Sequence, residues 1–202
     1  MRTVAILLFN EVEVLDFAGP FEVFSVCGRQ EEPYPFRVFT VAEYSPVAAR
    51  NHLTILPTHL LGEEPDPDIV LVPGGGGYHS DGTPFGSRRE MNNQRILDWI
   101  RRRNETAELV LSVCTGSLLL ARAGLLEGLT ATTHRGAVEA MQEAAPHTAL
   151  RPKERWVDNG RIILSAGVSA GIDMSLYVIE KLLGEKVAHE TAYYMQYDHW
   201  SR

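Results

Sequence analysis

The sequence predicts an α/β fold, a three-layer α/β/α sandwich around a mostly parallel sheet, and three observations predict it. Short runs rich in Val, Ile and Leu recur along the chain without strict alternation, the pattern of strands covered on both faces. Segments with helical periodicity or helix end signals lie between them. The chain has 202 residues, 45% hydrophobic and 22% charged, which favours one domain over residues 1–202 with a sizeable core rather than two marginal ones.

The elements follow in order. "TVAILLF" (3–9) is the first strand, and "GPFEVFSVCG" (19–28) the first helix, with Pro20 suited to a first helical position and Gly28 past the end. "FRVFTVA" (36–42) and "DIVLVPG" (68–74) are the next strands, and "SRREMNNQRILDWIRRR" (87–103) reads as one helix. "ELVLSVC" (108–114) is a strand running into the helix "TGSLLLARAG" (115–124). A short strand in "LTATTHRG" precedes the helix "RGAVEAMQEAA" (135–145). Asn159-Gly160 in "WVDNGRII" is a hairpin signal that leads into the strand "RIILSAG" (161–167). In "SAGIDMSLYVIEKLLG", Ile172, Leu176, Ile179 and Leu183 recur at helical spacing and make one buried face. "AHETAYYMQY" closes the chain as a helical tail, and no linker, repeat or low-complexity segment interrupts the series.

Charge narrows the function classes. A net charge of −7 leaves no basic stripe to neutralise phosphates, which argues against a nucleic-acid partner. The dense basic run, Arg101 to Arg103, sits where a helix should end, and cations there complement the helix dipole. The N-terminus has no small-residue cleavage site and no apolar stretch approaches spanning length, so the expectation is a cytoplasmic chain without a membrane partner. Two cysteines, Cys27 and Cys114, form no metal-binding pattern and are expected as free thiols.

In open parallel sheets ligands bind beyond the carboxyl ends of the strands, and here those ends carry unusual chemistry. Cys114 ends an apolar run and precedes Thr115, Gly116 and Ser117, a strand-to-helix elbow that exposes a nucleophile near helix amides. Cys27, before Gly28 in a helix, reads instead as a small buried hydrophobe. Asp16 follows the apolar Val14-Leu15 and must find a partner or change protonation state. Protonated, it donates to the sulfur and favours thiolate; ionised, it opposes thiolate, so the pair shares its titration. Part of its role is expected to be capping the helix near Pro20, and Glu22 is the competing carboxylate. "PGGGG" offers the backbone amides of Gly75 and Gly76 to a developing charge. His134 and Gly167, at the ends of neighbouring segments, complete the expected substrate-binding set.

Taken in order, "DFAGPFEVF", "VPGGGG", "SVCTGSLLLARAGLLEGLTATTHRG" and "SAGVSAGID" resemble the ThiJ/PfpI superfamily over nearly the whole chain. The resemblance implies a flavodoxin-like, class I amidotransferase-like fold and is nearest the isonitrile hydratase branch, with the ligand domain of some AraC-type regulators beside it. It implies that Cys114 is the reactive cysteine, Thr115 its adjacent threonine and Asp16 the acidic residue after the first strand. Peptidase-like members place histidine after the cysteine, where this chain has Thr115, and Arg135 stands where the hydratase branch often has an aromatic residue. His134 matches a histidine common in the superfamily, with a structural hydrogen bond as plausible as catalysis. The dipeptide His189-Glu190 matches the amidotransferase pair only in type and is expected on the surface.

What the resemblance implies for activity is cysteine-dependent hydration of an isonitrile to an N-substituted formamide, with no metal or organic cofactor, a small-molecule substrate and a homodimeric assembly. The rival expectations are a glyoxalase or deglycase acting on α-oxoaldehydes and a non-catalytic cysteine-based oxidation or ligand sensor. A regulator would need a DNA-binding module for which these residues have neither length nor charge.

Overall fold

The computed structural model describes residues 1–29 and 32–200; residues 30–31 and 201–202 of the expected domain lie outside the described residues. Among the described residues the main sheet has seven strands: β1 (Arg2–Leu8), β2 (Phe36–Ala42), β3 (His59–Leu60), β4 (Ile69–Val72), β5 (Leu109–Val113), β6 (Trp156–Asp158) and β7 (Ile162–Ser165). Their spatial order is β6-β7-β5-β4-β1-β2-β3, and every pairing is parallel except β6 with β7. β4, β5 and β7 are buried at every residue, and β1 at all but its first two. Burial on both faces is why these runs are continuously apolar.

The helices are α1 (Val14–Val26), α2 (Ser87–Glu90), α3 (Gln94–Thr106), α4 (Gly116–Arg122), α5 (Val138–Ala144), α6 (Ala170–Leu183) and α7 (Glu185–Tyr194). α1, α6 and α7 pack on one another, and α4 packs with α2, α3 and α5. The core between these layers includes Phe24, Ile6, Leu7, Leu71, Trp99, Leu111 and Leu118, each fully buried. α1 and α6 approach closely: a Cβ on Gly19 would lie 2.9 Å from Ile172 Cγ1, and one on Gly171 would lie 3.5 Å from Pro20 Cγ. The strand order reverses between β1 and β4, since the chain leaves β1 toward β2 and resumes on its other side at β4. That is where an open sheet leaves a crevice at its carboxyl edge.

Several expectations change in detail. α1 begins at Val14, not near Pro20, so Pro20 lies inside the helix and Asp16 in its first turn. Pro20 has no N–H for the Asp16 carbonyl four residues earlier, a loss offset by burying Phe17, Gly19, Pro20, Val23 and Phe24. The helix expected over 87–103 is two: α2 ends, and Asn93 restarts the chain as N-cap of α3, its Oδ1 accepting from the amides of Arg95 and Ile96. α3 runs on to Thr106, so Arg101–Arg103 lie inside its last turns. There Arg103 pairs with Glu64 and Asp66, and Arg101 with Asp98. The glycine-rich loop folds back as an antiparallel hairpin, Gly76–Tyr78 with Pro84–Gly86. The Asn159-Gly160 hairpin joins β6 to β7, with Gly160 at φ 86°. Among the described residues no helix is long and apolar enough to cross a membrane.

Two glycines test which backbone contacts the fold depends on. A Cβ on Gly116 would sit 2.0 Å from the Val72 carbonyl oxygen, whereas one on Gly124, at φ 81°, meets nothing within 4 Å. Gly116→Ala should therefore lower the free energy of urea unfolding by upwards of about 3 kcal/mol. Gly124→Ala should cost only about 1 kcal/mol, the left-handed backbone penalty.

Candidate active site

The elbow is built as the apolar-to-small transition predicts. β5 ends at Val113, Cys114 takes a left-handed φ of 58°, and α4 starts at Gly116. This conformation is uncommon for a side chain larger than glycine and needs support from its surroundings. The Cys114 amide donates to the Ala166 carbonyl at 3.1 Å, and its carbonyl accepts from the hydroxyls of Ser117 at 3.0 Å and Thr133 at 3.1 Å. The residue is 5% exposed, and the backbone amides of Thr115 and Val168 act on its sulfur and draw its pKa down.

Asp16 meets the sulfur from α1. Its carboxyl is fully buried; Oδ2 accepts from the Gly74 amide at 3.0 Å, while Oδ1 has no conventional hydrogen-bond partner. Two side chains act on this carboxyl, the Glu13 charge, which raises its pKa, and the Cys114 thiol, which hydrogen-bonds to it and lowers it. Burial raises the Asp16 pKa to about 7, against the lowering effect of the Gly74 hydrogen bond. Burial, and then the nearby Asp16 charge, push the Cys114 thiol up to about 12, against the two amides on its sulfur. The two groups thus hold their protons jointly, and putting two negative charges here is what the site resists. Glu22, the competing carboxylate, is exposed on α1.

The Thr115 side chain holds the glycine-rich turn. Its Oγ1 accepts from the Gly75 amide at 3.0 Å and lies 2.8 Å from Ser87 Oγ, which donates to the Gly75 carbonyl at 2.6 Å. With Ser87 donating to Gly75, the Thr115 hydroxyl donates to Ser87, and the three residues close a ring of hydrogen bonds. This corrects the expectation that the Gly75 amide is open to a substrate charge, because Thr115 occupies it. Gly76 sits in the 76–86 hairpin opposite Gly86. The amides that do face the sulfur are those of Thr115 and Val168, the latter at φ 50°. Ser87 and Val168 carry no sequence signal of their own; only the fold brings them here.

The remaining candidates lie at the edge of this arrangement. His134 caps a short 3₁₀ turn, its Nδ1 accepting from the Gly136 amide at 3.1 Å, and its ring packs where a Gly167 side chain would be. Both residues line a cavity of about 410 Å³ with Arg135, Lys153, Arg155 and the backbone at Val168. A second cavity of about 430 Å³ lies over the ends of β1 and β2, beside Glu43, Glu90 and Asn93. His189 and Glu190 are exposed on α7, and Cys27 is buried, its thiol raised by burial. Among the described residues no cluster of three or more His, Cys, Asp or Glu side chains could hold a metal.

Residues 2–181 match the family described as DJ-1/PfpI. The chain is 32% identical over 195 residues to an isonitrile hydratase of Pseudomonas putida, covering 96% of this chain and 78% of that protein. It is 29% identical over 183 residues to the HTH-type transcriptional regulator CdhR of Pseudomonas aeruginosa, covering 90% of this chain and 51% of the regulator, about half its length. Among solved structures, a THiJ/PfpI family protein from Pseudomonas syringae superposes with a TM-score of 0.83 at 29% identity, over 98% of this chain and 75% of that one. DJ-1beta of Drosophila melanogaster superposes at 0.78 with 19% identity, over 96% and 97% of the two chains, a likeness of fold.

Two titrations follow from the buried pair. Asp16 has a folded pKa of about 7 against 3.8 for the ordinary carboxyl, so it stabilises the native state below about pH 4 and this contribution is lost as pH rises toward 7. The loss should be on the order of 4 kcal/mol. Asp16→Asn should flatten that part of the stability–pH curve measured by denaturant unfolding. In the same variant the like charge beside the sulfur is gone, so thiolate absorbance at 240 nm should rise at a lower pH than the upper thiol step of the wild type. A thiol that titrates no earlier in Asp16→Asn would contradict the coupling.

Proposed function

The chain belongs to the DJ-1/PfpI family, and from that premise we propose that it hydrates an isonitrile to an N-substituted formamide at Cys114. One observation carries the reading: a fully buried Asp16 carboxyl beside the buried Cys114 thiol, each with its pKa pushed up by burial. The monoanionic pair has two arrangements. In one the thiol donates to the carboxylate; in the other the protonated carboxyl donates to a thiolate on which the Thr115 and Val168 amides also act. The second arrangement holds a nucleophile and an acid side by side without a second charge.

In the proposed reaction the Asp16 carboxyl gives its proton to the terminal isonitrile carbon as the Cys114 sulfur bonds to that carbon, leaving a thioimidate. The Asp16 carboxylate then takes a proton from water, whose oxygen adds to the same carbon. The carbon–sulfur bond breaks, sulfur leaves as thiolate, and the second proton of the water passes from the added oxygen to nitrogen; isonitrile and water have become the formamide. The Thr115 and Val168 amides carry the charge on sulfur in both steps. Thr115 and Ser87 act as positioning residues that hold the Gly75 turn. The similarity to an isonitrile hydratase supports the substrate class. The proposal extends to a cytoplasmic homodimer that needs no metal or organic cofactor.

Purified protein with cyclohexyl isocyanide should release N-cyclohexylformamide, measured by chromatography. Cys114→Ala should abolish this, and Asp16→Asn should lower kcat by about a hundredfold or more. Methylglyoxal consumption without formamide release would transfer the site to the α-oxoaldehyde reading.

A further inference from the structure

Arg103, whose side chain is largely withdrawn from water, pairs with Glu64 and Asp66, and even the exposed Arg155 and Arg161 have acceptors, Asp173 for the first and the carbonyls of Asn104 and Ala107 for the second. Arg88 differs. Its Nε is buried without a hydrogen-bond partner, and its Nη1 reaches Ser87 Oγ only at 3.5 Å. Among the described residues no carboxylate pairs with it. Burial works against its charge, and the groups that interact with that charge are the Tyr78 phenol and the Cys114 thiol.

Its placement follows from the glycine-rich segment. The hairpin of Gly76–Tyr78 with Pro84–Gly86 turns the chain back at Gly86, and Ser87 anchors it to Gly75 and Thr115. Arg88 is therefore one residue from an anchor that is itself one hydroxyl from the residue after Cys114. A cation held half out of water without a counter-charge is costly unless an anion joins it when the site is used. A guanidinium suits a carboxylate, whose two oxygens match its planar fork of donors.

We propose that Arg88 is a specificity-determining residue that binds a carboxylate on the substrate beside the carbon attacked by Cys114. This rests on the hydratase reading for the reacting group and deepens it: the preferred isonitrile is an anionic one, an isocyano acid.

The test separates the two layers. Iodoacetate and iodoacetamide alkylate the same sulfur and differ chiefly in one carboxylate, so their rate ratio at Cys114 is insensitive to the fraction of thiolate. Rates are read by mass spectrometry of the Cys114 peptide, with Cys27 as internal control. In the wild type the iodoacetate to iodoacetamide ratio should fall by about tenfold in Arg88→Met and be largely restored in Arg88→Lys. In the unaltered protein, acetate should slow iodoacetamide alkylation of Cys114 competitively, a readout that depends on no variant folding. An unchanged ratio in Arg88→Met, or no protection by acetate, overturns the proposal. Turnover then reports on the reaction: the kcat/KM ratio of isocyanoacetate to its methyl ester should fall in Arg88→Met by a similar factor. If neither isonitrile reacts while the alkylation ratio behaves as expected, the hydratase reading fails and the carboxylate site stands.

Discussion

The left-handed backbone of Cys114 is the constraint on which the rest of the site depends. A residue with a Cβ at φ 58° is held there because neighbouring segments hold it: the Ala166 carbonyl takes its amide, and the hydroxyls of Ser117 and Thr133 take its carbonyl. Immediately after it, Gly116 passes so close to the Val72 carbonyl that no side chain fits between. The turn therefore pins β5 against β4 and aims the sulfur at the crevice where the strand order reverses. Strain at this position is stored by a packed sheet, and the sheet is the part of the molecule least able to yield.

Around that turn, backbone amides are assigned one by one. Gly74 serves the Asp16 carboxyl, Gly75 serves Thr115, and Thr115 and Val168 serve the sulfur. The glycines are there for close passage more than for freedom: a Cβ on Gly74 would meet the Thr115 amide at 2.4 Å, and one on Gly75 would meet the Glu13 amide at 2.3 Å. With the amides allotted, the site holds one negative charge well and a second poorly. That asymmetry leaves the carboxyl and the thiol one negative charge between them above about pH 7.

The sheet was legible because burial on both faces leaves continuous apolar runs, and the elbow because an apolar run ended in Cys-Thr-Gly. Asp16 was legible as a carboxyl among apolar residues, although its place in the first turn of α1 was hidden by Pro20, a residue that ordinarily starts helices. The two-residue strand β3 and the 76–86 hairpin leave no periodicity to read. Ser87, Val168 and Arg88 were invisible for a different reason. Val168 contributes an amide, which every sequence position except proline has; Ser87 and Arg88 gain meaning only from the hairpin that brings them beside Thr115. Contacts of that kind are properties of the chain's path and not of its spacing.

The close seating of α1 on α6 at Gly19 and Gly171 has a mechanical side. α1 carries the Asp16 carboxyl, and α6 begins two residues after Val168, whose amide faces the sulfur from a different direction. With Pro20 near the Gly171 backbone and Ile172 against Gly19, the first turn of α6 is geared to the middle of α1. A sliding of either one over the sheet moves the proton donor and the anion-stabilising amide in concert, so thermal drift of the helical layer is common-mode and preserves their mutual spacing.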